Sequence, residues 1–329
     1  MPTTVTCGGA RALATQRIPL NFFGSSFGLA GLAGCWVTAA DQGHVSHRVG
    51  DALLALAALV WLVTVVFYLR YVLTTRGAFA ADLFDDVASP FASLAVITPM
   101  ALASQGVAPY APTAGKVLVD IFLVLTVLVG GWFTGQWIYG PLVLDRFHPG
   151  YFLPTVAGGF VASASAATVG QERLAQAMFG LGVACWFILG SMIMARLFFR
   201  PPLPPLLMPT LAIEVAPPTV GSVAYFALDG NRLDIVAAGL AGYALVMVGA
   251  QVRLLPAFLR LSFAASTWSF VFSWAAVVTT TLHWNELGRP DGHTVYTYLL
   301  LAAITAFVGG IAARTVLALV RGQLLPKGA

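Results

Sequence analysis

The chain has 329 residues, of which 59% are hydrophobic and only 9% are charged, and its mean hydropathy is +0.85. About a quarter of the residues of a soluble domain are charged, so this composition excludes a soluble globular protein and predicts an integral membrane protein. The formal net charge is +4, but Lys and Arg do not cluster among aromatic residues, so no nucleic-acid partner is expected. The three widely spaced cysteines, Cys7, Cys35 and Cys185, indicate neither a disulfide framework nor a metal site, and we expect no cofactor.

Ten apolar runs, each bounded by charged residues, follow one another along the chain. A helix that crosses a bilayer needs roughly 20 such residues, so each run predicts a transmembrane helix. In chain order the predicted spans are 18–40, 52–69, 87–115, 121–144, 147–171, 174–195, 201–228, 235–252, 261–285 and 292–313. The first 17 residues contain no apolar core ending in a cleavage site, so we expect no cleaved signal peptide.

The Lys and Arg residues between the spans predict the orientation. With the N-terminus inside, twelve of these residues lie on the inner side and five on the outer side. This bias predicts a multi-pass plasma-membrane protein whose short termini, about 1–17 and 320–329, are cytoplasmic. All connections are short, so we expect one transmembrane domain over 1–329, and no glycine-rich phosphate loop of the GxxxxGK type is present.

Odd and even spans differ in composition. The even spans have no interior proline, whereas prolines and most hydroxyl residues fall in odd spans; the prolines include Pro90, Pro99, Pro154, Pro209, Pro217 and Pro218. A proline frees a backbone carbonyl, which is tolerated where it meets protein or a water-filled cavity. The alternation predicts five helical hairpins, with odd helices forming an inner pore ring and even helices an outer ring. Gly, Pro and Ser are also common in membrane helices generally, which is the simpler interpretation.

The ninth span opens with the stretch STWSFVFSW, residues 266–274. Its serines at 262, 266, 269 and 273 follow helical spacing, so Ser269 and Ser273 are candidates for a polar pore lining. Phe270 and Phe272 flank this stripe on opposite sides, and the helical spacing alone does not choose between them as a pore-facing ring.

Glu214 interrupts the seventh span, and a carboxyl group at mid-span is a functional hypothesis by default. It is protonated, pairs with a basic group or faces away from the pore, and a protonatable carboxyl would suit proton-coupled transport.

The remaining charged residues have simpler interpretations. Lys116 and Asp120 have the spacing of an intrahelical ion pair. His44 and His47 alone do not indicate zinc. Arg253 and Arg260 are explained by the orientation bias or by attraction of anions to the inner mouth.

Five motifs in order resemble one family along nearly the whole chain. They are IPLNFFGSSFGLAG, HPGYFLPTVAGGFVASAS, MPTLAIEVAPP, GYALVMVGAQVRLLP and STWSFVFS. The chain resembles the tellurite-resistance and C4-dicarboxylate transporter family (TehA-like), which also includes the plant guard-cell slow anion channels. Glu214 departs from this family, whose motif is usually apolar there.

The resemblance implies a ten-helix protomer with a central anion pore, assembled as a homotrimer with one pore per protomer. It implies that Phe272 is the pore gate, with Phe270 a packing residue. Phe23 and Gly24 match the first-helix motif, and Pro154 and Pro217 match family prolines, so these four are candidates for pore lining or gate support. His148 and the following Pro149 match the entrance to the fifth span, where a turn role is expected.

These patterns predict an anion channel or transporter whose partners are small inorganic or organic anions and the lipid bilayer. The alternative is a proton-coupled carrier for C4-dicarboxylate, sulfite or tellurite-type oxyanions. Glu214 has no catalytic partner evident within the spans, so an enzyme is not expected.

Overall fold

The computed structural model describes residues 17–230 and 232–324. Cys7 and nearly all of the predicted N-terminal segment lie outside the described residues. Over the described ranges the regular secondary structure is helical, without strands. The α-helices are α1 (Phe23–Asp41), α2 (His47–Thr74), α3 (Ala78–Leu83), α4 (Leu94–Leu102), α5 (Pro112–Tyr139), α6 (Gly158–Thr168), α7 (Glu172–Phe199), α8 (Ala216–Asp229), α9 (Ile235–Phe258), α10 (Trp268–Gly288) and α11 (His293–Val320).

Shorter irregular helices extend the α-helices of the odd predicted spans. The 3-10 helices are Leu20–Phe22 before α1, Ser89–Ser93 before α4, Leu144–Arg146 and Pro149–Phe152 before α6, Met208–Val215 before α8 and Ala265–Thr267 before α10. The π-helical turns are Ala103–Val107 after α4 and Leu153–Ala157 before α6. Several of these segments carry a proline at their first or second position, which lacks the N–H that an interior helical residue donates. The prolines therefore explain why these spans begin with a short 3-10 or π-helical segment before the α-helix.

Eight helical segments in the described ranges are long and apolar enough to cross a membrane. They are Leu20–Asp41, His47–Thr74, Ser89–Val107, Pro112–Tyr139, Glu172–Phe199, Met208–Asp229, Ile235–Phe258 and His293–Val320. The fifth and ninth predicted positions are also helical, as residues 149–168 and α10, but do not belong to these eight. The protein is therefore an all-helical, multi-pass membrane protein.

Burial alternates among the eight segments. In Leu20–Asp41, Ser89–Val107 and Met208–Asp229, between 67% and 72% of the most apolar stretch is buried inside the protein. In the other five segments the buried share lies between 11% and 28%. The odd segments, which contain 3-10 or π-helical turns, are thus covered by protein, while the even helices leave apolar side chains exposed, as lipid contact requires.

Two predicted boundaries around the fourth span are wrong. The third segment ends at Val107, and α5 begins at Pro112, nine residues before the predicted start. Proline is favourable at the first position of a helix, which explains why α5 begins at Pro112. Because the helix begins there, Lys116 and Asp120 lie inside it. The predicted ion pair between Lys116 and Asp120 is not among the ion pairs of the described residues; instead, Gln171 Nε2 donates to Asp120 Oδ1 at 2.6 Å. Other predicted spans are shorter than the helices of the structure. The helix α2 extends five residues beyond its predicted span at each end, and α9 continues to Phe258 and takes Pro256 into its last turn.

Candidate functional site

A cavity of about 620 Å³ lies between the segments of the odd predicted spans and opens at one end of the molecule. All five of these segments line it, as residues such as Gly34, Ser104, Ser165, Val223 and Ala276 illustrate. Small side chains at these positions leave space between the helices, while larger lining residues such as Phe27, Phe226 and Phe272 border that space. The composition that kinks the odd segments thus also leaves space between them.

The cavity ends at two phenylalanine rings. Phe27 of α1 and Phe272 of α10 have ring centroids 5.3 Å apart at an interplanar angle of 52°. Beyond them lies a second space of about 10 Å³ with a wholly apolar lining that includes Leu153, Val156 and Pro217. That volume is near the lower limit for one water molecule, and an apolar space of this size stays dry. The ring pair therefore separates a wide, partly polar cavity from a dry apolar constriction.

Glycines in α1 allow the two rings to meet. A Cβ atom at Gly28 would lie 2.8 Å from Val271 Cγ1 and 2.9 Å from Trp268 Cε3. A Cβ atom at Gly31 would lie 3.0 Å from the Cβ atom of Ala275. Only a helix without side chains at these positions can approach α10 so closely. This close approach brings Phe27 of α1 against Phe272.

The cavity wall carries hydroxyl, amide and imidazole groups. Ser104, in the π-helical turn Ala103–Val107, donates to Ser165 Oγ at 3.2 Å, and Gln105 of the same turn also lines the cavity. On the opposite side, the His283 ring stacks on Phe226 with centroids 4.9 Å apart. A π-helical turn shifts the side chains that follow it, which explains how adjacent residues 104 and 105 both reach the cavity.

The open mouth of the cavity is acidic. Asp41, Asp51 and Glu286 line it, and no Lys or Arg is among the described residues that do so. Glu286 is partly compensated, since Arg289 approaches it at 2.6 Å and His44 at 2.9 Å. The Tyr110 hydroxyl donates to Asp51 at 2.6 Å, and this hydrogen bond raises the pKa of the Tyr110 phenol. Asp41 is 3.7 Å from His47, with both side chains more than half exposed.

Comparison with known proteins assigns this arrangement to a family. A family model described as voltage-dependent anion channel matches residues 17–316. The chain belongs to the voltage-dependent anion channel family. A curated relative, the tellurite resistance protein TehA homolog of Haemophilus influenzae, is 26% identical over 317 residues, which are 94% of this chain and 93% of the relative. The family resemblance of the five sequence motifs is thereby confirmed, and the family points to an anion channel or transporter.

Two of the site residues predicted from the sequence, Phe272 and Pro217, line the two cavities of this anion channel family member. Phe272 lies at the ring pair, and Pro217 lines the small apolar space. Phe270 lies elsewhere and packs on Phe258 of α9, with ring centroids 4.9 Å apart. The structure therefore brings Phe272 and Pro217 together and directs Phe270 toward a neighbouring helix.

The other predicted lining residues are buried in contacts between helices. Phe23 packs edge-on against Tyr68 of α2, and Gly24 faces Trp268. The carbonyl of Pro154 faces Gly130 of α5. Ser269 and Ser273 are fully buried, and neither lines the two cavities. Ser266 donates to Leu206 O at 3.3 Å, whereas the hydroxyls of Ser269 and Ser273 have no hydrogen-bond partner among the described residues. Ser262 lies in the non-helical stretch 261–264, so the four serines do not form the one helical face that their spacing predicts.

Glu214 lies in the 3-10 helix Met208–Val215, and its side chain is buried away from both cavities. Its neighbours Ile213 and Ala216 line the apolar space instead. The Glu214 Oε1 atom has no hydrogen-bond partner among the described residues. Gln251 of α9 donates to Leu211 O of the same segment at 2.7 Å. Glu214 is thus absent from the lining of both cavities and forms no ion pair with a described basic residue, and its role in transport stays a prediction.

Sequence reasoning missed Phe27 and Val220, which line both cavities together with Phe272. The family motif directed attention to Phe23, one helical turn before Phe27. The signal that could have found Phe27 is its position beside the face formed by Gly24, Gly28 and Gly31. Gly24, Gly28 and Gly31 bring α1 close to α10, so the neighbouring Phe27 side chain lies beside α10.

Proposed function

We propose that the protein conducts small anions across the plasma membrane through the cavity, with Phe272 as the gate of the pore. The observation that carries this proposal is a wide cavity lined by five kinked segments that ends at the ring of Phe272. A narrow apolar constriction excludes ions because it loses water, and it conducts again when the obstructing ring moves or is removed.

The proposal includes an architecture. Ten membrane-crossing segments form five hairpins in one domain over 1–329, with odd segments inside and even segments outside. The alternation in burial supports this arrangement. With both termini cytoplasmic, as the Lys and Arg bias predicts, the acidic mouth faces outward. Assembly as a homotrimer, with one pathway per protomer, stays a prediction from the family resemblance.

The channel is favoured over the proton-coupled carrier. A coupling carboxyl is expected to contact the transported anion or the water beside it, whereas Glu214 lines neither cavity. The acidic mouth also disfavours oxyanion and dicarboxylate uptake from that side. Tellurite, sulfite and C4-dicarboxylates remain substrates to be compared with chloride and nitrate in the same assay. No catalytic role is proposed for any residue.

The test compares Phe272→Ala with Phe270→Ala in protein reconstituted into lipid vesicles. We expect Phe272→Ala to raise chloride and nitrate flux roughly tenfold or more, since about 1.4 kcal/mol of barrier corresponds to one factor of ten. Phe270→Ala should leave the flux near wild type and lower the thermal stability, because it removes the contact with Phe258.

The two variants form a matched pair, two residues apart on one helix. If Phe272→Ala conducts no better than wild type while remaining folded in size-exclusion chromatography, Phe272 is not the gate. If Phe270→Ala conducts instead, the family pattern has been placed on the wrong ring.

A further inference from the structure

We propose that Phe27 is a second gating residue, so that the pathway is closed by a pair of rings from two helices. This inference rests on the proposed function and adds a residue that neither the sequence motifs nor the family match assigns. Three side chains line both the wide cavity and the apolar space: Phe27 of α1, Val220 of α8 and Phe272 of α10. The partition between the two spaces is therefore built from three helices.

Phe27 and Phe272 contact each other across this partition. Their centroid distance of 5.3 Å and tilt of 52° are those of a directly contacting aromatic pair. Phe272 is only 5% exposed, whereas Phe27 is partly buried and meets the wide cavity with its remaining surface. Each ring thus covers part of the partition, and each restricts the rotation of the other.

The position of Phe27 is fixed by its own helix. The close contacts of Gly28 with Val271 and Trp268 set the rotation of α1 against α10. The Trp268 indole is itself held by a hydrogen bond of 3.0 Å from Nε1 to Thr315 Oγ1 on α11. Phe27 therefore cannot withdraw by rotation of α1, and it leaves the partition by a change of its own side-chain rotamer.

The two-ring arrangement has a specific consequence for conduction. Removal of the Phe272 ring leaves the Phe27 ring at the partition, where it still narrows the path. Removal of the Phe27 ring frees Phe272 from one of its contacts, so that it samples open rotamers more often. The double variant should conduct more than either single variant.

The experiment measures chloride and nitrate flux in lipid vesicles for wild type, Phe27→Ala, Phe272→Ala and the double variant. We expect Phe27→Ala to raise flux severalfold above wild type and the double variant to exceed Phe272→Ala severalfold. Phe23→Ala is the control, because Phe23 lies one turn earlier on α1 but packs on Tyr68 and lines neither cavity. It should lower stability without raising flux.

Phe27→Leu guards against misfolding, since leucine keeps an apolar side chain but removes the ring. It should retain the thermal stability of the wild type more closely than Phe27→Ala and still raise flux. If both Phe27 variants conduct as wild type does and the double variant equals Phe272→Ala, Phe27 is a packing residue and only this inference fails. If only the double variant conducts, each ring closes the path by itself and the two-ring inference stands. If neither Phe272→Ala nor the double variant conducts better than wild type, the proposed gate and this inference both fail.

Discussion

Glu214 shows how the orientation of a single side chain decides between two mechanisms. Its position at mid-span suits a proton-coupling carboxyl, but its buried side chain lines neither of the two cavities. A carboxyl that does not meet the permeating anion or its water cannot exchange a proton with them in each transport cycle. Its place behind Ile213 and Ala216 makes it part of the contact between segments.

We therefore expect Glu214→Gln to leave anion flux and its pH dependence unchanged. The substitution keeps the shape of the protonated side chain and removes the titration. Flux should be measured between pH 5 and 8 in the Phe272→Ala background, where it is large enough to compare. A vesicle pH indicator in the same experiment reports proton movement. Loss of anion-driven proton uptake on Glu214→Gln would instead establish the carrier.

The residue scale also shows what the sequence could and could not predict. Helical spacing left Phe270 and Phe272 equivalent, and the family motif was needed to prefer Phe272. The spacing of the four serines predicts one helical face, but Ser262 lies in a non-helical stretch and Ser266 in the 3-10 helix Ala265–Thr267, so only Ser269 and Ser273 belong to α10. Which face of a helix meets a cavity depends on the rotation of the whole helix. That rotation is set by contacts such as those of Gly28, which lie far away in sequence.

At the scale of elements, glycines set the distance between an inner segment and its outer neighbour. A Cβ atom at Gly159 of α6 would lie 2.7 Å from the backbone nitrogen of Gly182 on α7 and 2.8 Å from its Cα atom. Backbone atoms cannot move aside as the end of a flexible side chain can. The hairpin formed by α6 and α7 is therefore packed backbone against backbone.

Gly159→Ala should destabilise the protein by about 1–3 kcal/mol, the usual cost of overpacking a close contact. Thermal unfolding in detergent, followed by tryptophan fluorescence, measures the change. Gly180→Ala is the matched control on the same hairpin, because no atom lies within 4 Å of a Cβ atom there. Alanine is the better helix former, so the control should be neutral or slightly stabilising. Equal melting temperatures for the two variants would contradict the close contact.

Segment boundaries were the least predictable part of the elements. Charged residues predict the ends of spans, yet α5 contains Lys116 and Asp120 near its start. The irregular helices at Met208–Val215 and Leu153–Ala157 left no signal beyond their prolines. A proline predicts that one backbone hydrogen bond of the helix is missing. Whether the helix then forms a kink, a 3-10 helix or a π-helical turn depends on its packing against the surrounding helices.

At the scale of the whole molecule, the difference in composition between odd and even spans predicts which helices are buried. Proline and hydroxyl residues in odd segments matched the segments that are most buried, and smooth apolar helices matched those that are most exposed. This agreement arises because lipid accepts only helices whose backbone groups are satisfied internally. The sequence alone does not predict the acidic mouth, since Asp41, Asp51 and Glu286 lie near the ends of three helices, α1, α2 and α10, whose relative positions depend on the fold.

The carboxylates at that mouth should limit the entry of anions. We expect the Asp41→Asn, Asp51→Asn double variant, in the Phe272→Ala background, to raise anion flux from the mouth side about two- to threefold at low salt. The effect should vanish near 1 M salt, where the Debye length falls to about 3 Å. Asp291→Asn is the control, because Asp291 does not line the cavity. A gain that persists at high salt would point to a change of pore shape.

The carboxylates of Asp41, Asp51 and Glu286 would also select anions by their charge before any anion reaches Phe27 and Phe272. A local potential of about one thermal unit lowers the concentration of a monovalent anion about 2.7-fold and that of a divalent anion about sevenfold. The factor that excludes a divalent anion is the square of the monovalent factor, so divalent anions are excluded about 2.7-fold more strongly, and this discrimination needs no binding site. Dilute surroundings would therefore favour singly charged species such as chloride or nitrate, and saline surroundings would admit doubly charged ones.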